Sequence, residues 1–284
     1  MDQKIINLFD EYTHKPLSRA VFIKKLSKLT GSTAAAMAIL PLLEVNYAHA
    51  ETTPQGDNII TERVTYPGAT GSMMGYLAIP KEGAPFGGVV VIHENRGLNP
   101  HIEDVARRVA MEGFMALAPD ALAPFGGTPE DADKARDLIG KLDPDQNLTN
   151  FIQSVSYLSQ RKDCNSKIGC VGFCWGGAMV NRLAVEVPTL KAASAFYGRQ
   201  PNEEDVPKIK ASIQLHYAGL DERVNAGIPA YEAALKKAKV DYQLFMYEGA
   251  NHAFHNDTAP TRYNEQAAKL AWSRTMALFK QKIG

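Results

Sequence analysis

The stretch Gly172-Phe173-Cys174-Trp175-Gly176-Gly177 puts a cysteine where G-x-S-x-G places the serine of a nucleophile elbow. A strand-like run, "KIGCVGF" (167–173), precedes it, and a helix-like run, "GGAMVNRLAVEV" (176–187), follows. Glycines at 172 and 176 leave room for a strained turn that pushes the central side chain out of the sheet. The amides and dipole at the start of the following helix favour a thiolate there. The bland alternative is a small buried residue; the flanking glycines and the strand-to-helix context favour a nucleophile. Cys170 lies inside the apolar strand and reads as core. Cys164 lies in the polar loop "RKDCNSK", and a 164–170 bridge in an oxidising compartment is the weaker alternative to two free thiols. Three cysteines make no disulfide framework, and Cys170 and Cys174 have no companion His or Cys cluster nearby. No metal and no cofactor are expected.

A cysteine nucleophile needs a base, and the base needs an orienting group. On an open α/β sheet such groups gather at C-terminal strand ends, and the elbow's partners follow in the order acid, then histidine. "LHYAGLDERV" places Asp221 just past a strand end, and "MYEGANHAFHND" places His252 just past the next. Either alone reads as a solvated loop residue; the order Cys174, Asp221, His252 makes a triad. The rival histidines are His216 within a strand, His93 and His101 flanking an earlier loop, His255 close to His252, and His14 and His49 near the N-terminus. "VIHENRGLNP" (91–100) follows the first buried strand. The backbone N–H groups of Asn95 and Trp175 are the expected oxyanion hole. Glu94 could hold the resting Cys174 thiol by a hydrogen bond and release it as a thiolate when substrate arrives. The alternatives for Glu94 are a structural carboxylate paired to Arg96, or a solvated loop residue.

The elements that must position these residues alternate from residue 58 onward. Strands are expected at 58–67 and 72–80 as an antiparallel start, then at 87–94, 114–120, 167–173, 190–198, 211–219 and 241–249. Helices are expected at 101–113, 128–142, 146–161, 176–187, 226–239 and 262–283. Alternation of this kind implies an α/β fold, a mostly parallel sheet of about eight strands with helices on both faces.

With 284 residues, 45% hydrophobic and 22% charged, the chain can bury a substantial core. Lys+Arg and Asp+Glu both number 31, so the formal net charge is zero, and no basic stripe marks a nucleic-acid partner. Residues 1–50 read as a leader-like segment and 51–284 as the α/β domain. Arg19, Lys24, Lys25 and Lys28 form a basic stretch, followed by an Ala-rich apolar run from Gly31 to Leu43 and a small-x-small pattern, Ala48-His49-Ala50. The apolar run is too short, and interrupted by Pro41, for a stable membrane span. Ser18–Lys24 is similar to a twin-arginine export motif, with Ala20 where the second arginine belongs. Export to the periplasm is the expectation. A cytoplasmic protein with an N-terminal amphipathic helix docked on the domain is the alternative, since "QKIINLFDEYT" is long and acidic for a leader.

From about residue 58 to the C-terminus the chain resembles the dienelactone hydrolases (carboxymethylenebutenolidase family). The resemblance rests on "IHENRGLNPHIEDVARRVAMEGFMALAPD", "KIGCVGFCWGG", "YAGLDERV" and "YEGANHAFHND". It implies an α/β-hydrolase fold with Cys174 as nucleophile, Asp221 as acid, His252 as base and Glu94 as the group that gates the cysteine. It also implies hydrolysis of an enol-lactone through an acyl-thioester, with a small-molecule lactone or ester as the partner. The archetype grips its substrate carboxylate with arginines. Here Ala253-Phe254-His255-Asn256 offers none, the next being Arg262, and Arg96 is the substitute that the sequence offers. A general carboxylesterase or thioesterase with the same triad, or a non-catalytic binding protein on the same fold, are the competing readings.

Overall fold

The computed structural model describes residues 1–15, 17–44, 58–69 and 71–284. Eight strands form one sheet: β1 (Ile59–Gly68), β2 (Gly71–Pro80), β3 (Phe86–Ile92), β4 (Met115–Asp120), β5 (Cys164–Phe173), β6 (Ala192–Phe196), β7 (Ser212–Ala218) and β8 (Tyr242–Tyr247). Their spatial order is β1-β2-β4-β3-β5-β6-β7-β8. β2 pairs antiparallel with both β1 and β4, and every other neighbouring pair is parallel. This is the mostly parallel eight-stranded sheet expected from the alternation, in the α/β-hydrolase arrangement that the resemblance implies. Every residue of β3, "FGGVVVI", is buried. Burying each of its Val and Ile side chains contributes about 1.5–3 kcal/mol before the entropy of ordering is counted.

Two layers of helix cover the sheet. α4 (Pro100–Met111) and α10 (Glu265–Lys282) pack on one face, around Val105, Val109, Ala271 and Phe279. α5 (Ala132–Ile139), α6 (Pro144–Ser159), α7 (Trp175–Glu186) and α9 (Ile228–Ala238) pack on the other, around Ile139, Phe151, Val180 and Leu235. A short helix, α8 (Glu222–Asn225), follows β7.

Two local expectations are corrected. The helix expected from Thr128 starts only at Ala132, capped by Asp131. Thr128 stays outside it because its N–H and hydroxyl both donate to buried Asp120, at 2.8 Å each, while its oxygen accepts from Leu98 N. Cys164 is no loop residue but the buried first residue of β5, and all three cysteines are free thiols.

The N-terminal segment folds as three helices, α1 (Gln3–His14), α2 (Arg19–Thr30) and α3 (Thr33–Leu43). In α1 the side chains Ile5, Leu8, Phe9 and Tyr12 recur at i, i+3, i+4 and i+7, which makes one apolar face. That face packs with Phe22, Leu26 and Leu40 into a small separate core. Ala48-His49-Ala50 lies outside the described residues. Among the described residues, no single helix is long and apolar enough to cross a membrane.

Candidate active site

Cys174 sits between the end of β5 and the start of α7 with φ 56° and ψ −113°. A non-glycine residue held there costs about 1–3 kcal/mol, so its surroundings must enforce it. Cys174 N donates to Phe196 O at 3.0 Å, and Ala178 N donates to Cys174 O at 3.1 Å. The flanking glycines are required by close approach. A Cβ on Gly172 would overlap the Gly176 carbonyl, and one on Gly176 would overlap the Ile92 and His93 carbonyls at the end of β3. Trp175 opens α7, so its amide has no partner within the helix.

Asp221 caps α8, its Oδ1 accepting from Val224 N at 3.2 Å. Its Oδ2 accepts from His252 Nδ1 at 2.5 Å. Burial opposes ionisation of Asp221. The hydrogen bond from His252, the electrostatic pull of that ring and the charge of Arg223 outweigh burial and hold the carboxyl below its usual range. With Nδ1 so occupied, His252 presents Nε2, which is buried and has no hydrogen-bond partner among the described residues. The rival histidines are engaged elsewhere. His93 Nδ1 donates to Glu94 O and its Nε2 accepts from Ala121 N. His216 is buried against Tyr247 and Thr275, and burial with nearby Arg274 pushes it down to about 3. His101 faces Asp257, and His255 is stacked on Phe173.

One rival is not elsewhere. His14, at the C-terminal end of α1, places Nε2 3.1 Å from Cys174 Sγ, and its ring meets that of His252 edge-on at 4.7 Å. Its Nδ1 faces Asp10 O at 2.9 Å and Asp10 Oδ1 at 3.1 Å. α1 is tied down around this contact. Arg223 Nε donates to Asp10 Oδ2 at 3.2 Å, Asn95 Nδ2 to Thr13 O at 2.7 Å, and Tyr12 OH to Asp133 Oδ2 at 2.6 Å. The Arg262 guanidinium lies over the Phe9 ring at 5.1 Å. Burial works against the charge on Asp10, but His252, His14 and Arg223 together hold its carboxyl well below the usual range. Burial likewise opposes charge on His14, yet the Cys174 sulfur and Asp10 raise it above its ordinary value. Cys174 is left only 8% exposed. A cleft of 440 Å³ lies between α1 and the loops carrying Asp221 and His252, reaching His252 but not lined by Cys174. A larger cleft of 960 Å³ lies away from the cysteine, between α7 and α9.

The structure thus brings Cys174, Asp221, His252, Asn95 and Trp175 to one edge. Glu94 is buried nearby, but its Oε2 accepts from Asn256 Nδ2 at 2.9 Å, and the bond to Cys174 Sγ is made by His14. Glu94 and Arg96 form no ion pair. Arg96 is buried in the same loop, with no hydrogen bond among the described residues. Trp175, half-buried, stacks on His93 at 5.3 Å. Sequence reasoning missed Asp10, His14, Arg223 and Tyr197. Burial, reinforced by the negative charges of Glu94 and Cys174, drives the Tyr197 phenol well above its ordinary value, so it faces the site as a neutral O–H. An Asp and a His four apart on one amphipathic helix was the available signal for Asp10 and His14. The absence of a companion histidine near Cys174 held only along the chain, because His14 and His252 arrive from distant segments.

The dienelactone hydrolase family model matches residues 73–283, three-quarters of the chain and all of the edge just described apart from α1. The chain belongs to the dienelactone hydrolase family. It is a hydrolase. A putative carboxymethylenebutenolidase of Saccharolobus solfataricus is 33% identical, over 78% of this chain and 98% of its own length. The Aquifex pyrophilus protein usf is 37% identical, over 73% of this chain and 92% of its own. The crystal structure of a putative dienelactone hydrolase from Klebsiella pneumoniae superposes with a TM-score of 0.72 at 27% identity, covering 79% of this chain and all of that one. The helical cap that carries His14 precedes the region that the family model matches.

Because α1 covers the cysteine, access should depend on its anchors. Asp10→Asn removes one charged partner from both Arg223 and His14. Hydrogen bonds to charged groups are worth about 1.5–3 kcal/mol. Alkylation of Cys174 by iodoacetamide, in the presence of a chelator, is therefore expected to speed up roughly tenfold to a hundredfold. An unchanged rate would mean that α1 does not govern access.

Proposed function

We propose that this hydrolase cleaves a lactone or small ester through Cys174, His252 and Asp221, by way of an acyl-thioester. One observation carries the reading. Asp221 fixes Nδ1 of His252, leaving a bare Nε2 beside a cysteine raised on a strained elbow. With α1 displaced, His252 Nε2 takes the proton of the Cys174 thiol and the thiolate attacks the carbonyl carbon. The negative oxygen that forms is met by the amides of Trp175 and Asn95. As the C–O bond breaks, His252 Nε2–H protonates the leaving oxygen, which in a lactone stays tethered to the acyl chain. Nε2 then takes a proton from water, which attacks the thioester; the acid leaves and Sγ is regenerated. Glu94 is assigned the resting role of holding the thiol once His14 has withdrawn, its Oε1 being buried and unpartnered. Arg96 is assigned to the substrate's carboxylate, where it has one. The name carried by the Saccharolobus relative favours an enol-lactone substrate.

The test is steady-state hydrolysis of cis-dienelactone, simple lactones and p-nitrophenyl acetate, with mass analysis of the quenched enzyme. The expected result is an acyl adduct on the peptide containing Cys174, with the dienelactone turned over fastest. Turnover of simple esters alone would keep the triad and discard the lactone. Turnover with the adduct on another residue would discard the triad. The same alkylation assay checks Glu94: Glu94→Gln is expected to change the labelling rate of the Asp10→Asn protein, and identical rates would remove it from the mechanism.

A further inference from the structure

His14 Nε2, Cys174 Sγ and a ring nitrogen of His252 lie within 4.8 Å of one another. We propose that docking of α1 completes a zinc site from His14, Cys174 and His252, and that zinc bound there holds the hydrolase closed. The inhibitory part rests on the reading of Cys174 as nucleophile; the site itself does not.

Two imidazoles and a thiolate form a three-ligand zinc set that leaves a fourth position for water. Tetrahedral bonds of the usual lengths put such ligand atoms about 3.3–3.6 Å apart. The His14–Cys174 separation is 3.1 Å and every edge of the triangle is within 4.8 Å, so binding lengthens the first slightly and draws the longest in by up to about 1 Å or a little more. The tautomers are already set. His14 Nδ1 is directed at the Asp10 carbonyl oxygen, with the Asp10 carboxylate 3.1 Å away, and His252 Nδ1 at the Asp221 carboxylate. Once deprotonated, each imidazole offers Nε2 to the ion, and each has at Nδ1 an acceptor of the kind that orients zinc-bound histidines, a backbone carbonyl for His14 and a carboxylate for His252. His252 Nε2 is buried with no partner among the described residues, a cost that coordination would remove. Charge fits as well. The thiolate, Asp10 and Asp221 surround the position, with Arg223 as the cation bonded to Asp10. Sulfur and imidazole ligands favour zinc over magnesium or calcium. Binding forms two Zn–N bonds and one Zn–S bond; the thiol proton leaves to solvent, and water takes the fourth position. No redox change is involved. The bound ion ties α1 to the elbow and occupies both the sulfur and the base.

The experiment uses the full chain freed of metal by a chelator. Zinc is titrated in competition with a chromophoric chelator, cobalt(II) spectra are recorded, and ester hydrolysis is followed in parallel. Expected are one zinc per chain, a thiolate-to-cobalt charge-transfer band, and hydrolysis lost in step with occupancy and restored by chelator. His14→Ala and the bulkier His14→Gln, checked for helix content by circular dichroism, are expected to bind zinc at least about a hundredfold more weakly and to keep their hydrolysis in chelator. Asp10→Asn should weaken zinc about tenfold to a hundredfold, as loss of a supporting carboxylate does. Zinc affinity unchanged in His14→Gln, or no thiolate band, would overturn the site. Hydrolysis in chelator without stoichiometric zinc binding would discard the zinc site and leave the triad standing. Zinc binding with no hydrolysis of any ester would keep the site and discard the triad.

Discussion

Cys174→Ala is expected to lower kcat/KM on every ester or lactone that the protein turns over by at least about 10⁴-fold, with substrate binding little changed. Loss of a triad nucleophile removes the covalent route and leaves only what the oxyanion donors and binding supply. The comparison is clean because of the backbone. Alanine at φ 56° bears the same Cβ strain as cysteine, so the elbow is neither relieved nor broken by the change. The variant should therefore unfold within a few tenths of a kcal/mol of wild type once the sulfur's contact with His14 is allowed for. It also separates the cap from the chemistry. If α1 blocks access through His14 and Cys174, the alanine protein loses one anchor and still cannot react. Hydrolysis by Cys174→Ala at the wild-type rate would transfer the reaction to another nucleophile.

How far this site could be read before the fold was known follows from how far apart its parts lie in the chain. The elbow is local. A glycine-flanked cysteine between an apolar β-branched run and a helix carries its own geometry, and the strained φ at Cys174 is what that pattern demands. Asp221 and His252 are each local to a strand end, so alternation of elements was enough to bring them to one edge. The antiparallel start and the parallel remainder followed from turn length and apolar continuity. Contacts that depend on packing direction were not readable. The amphipathic face of α1 shows that it needs a partner, but the same periodicity would serve docking on any apolar surface. That the polar side of its last turn, Asp10 and His14, points at the elbow depends on how Phe9 and Tyr12 seat against Arg262 and Arg136. Thr128 was misplaced for a related reason. Thr-Pro followed by acids is a sound helix start, and only the buried Asp120, eight residues earlier, draws the threonine out of it.

The second large effect is expected from Asp221→Asn, about 10⁴-fold in kcat by the logic of tautomers. Asp221 performs two tasks with two oxygens. Asparagine can keep the first, since its side-chain oxygen caps a helix as well as an aspartate does, and Val224 N retains its acceptor. The second is reversed. An amide N–H₂ then faces His252 Nδ1 in place of the carboxylate oxygen at 2.5 Å. The ring must accept there, so its proton moves to Nε2, the atom that has to receive the proton from Cys174. Stability should report the same change with a defined sign. Asp221 is held below its ordinary 3.8 in the folded protein. Its ionisation thus adds stability that is present above the unfolded value and is lost as pH falls through the folded one. Wild type should accordingly be the more stable near neutrality, and the two denaturation midpoints should converge on acidification below the ordinary carboxylate range. A loss in kcat of less than tenfold, with the convergence observed, would show that Asp221 supports the fold without orienting the base; a midpoint difference independent of pH would deny it the charged pairing with His252 as well.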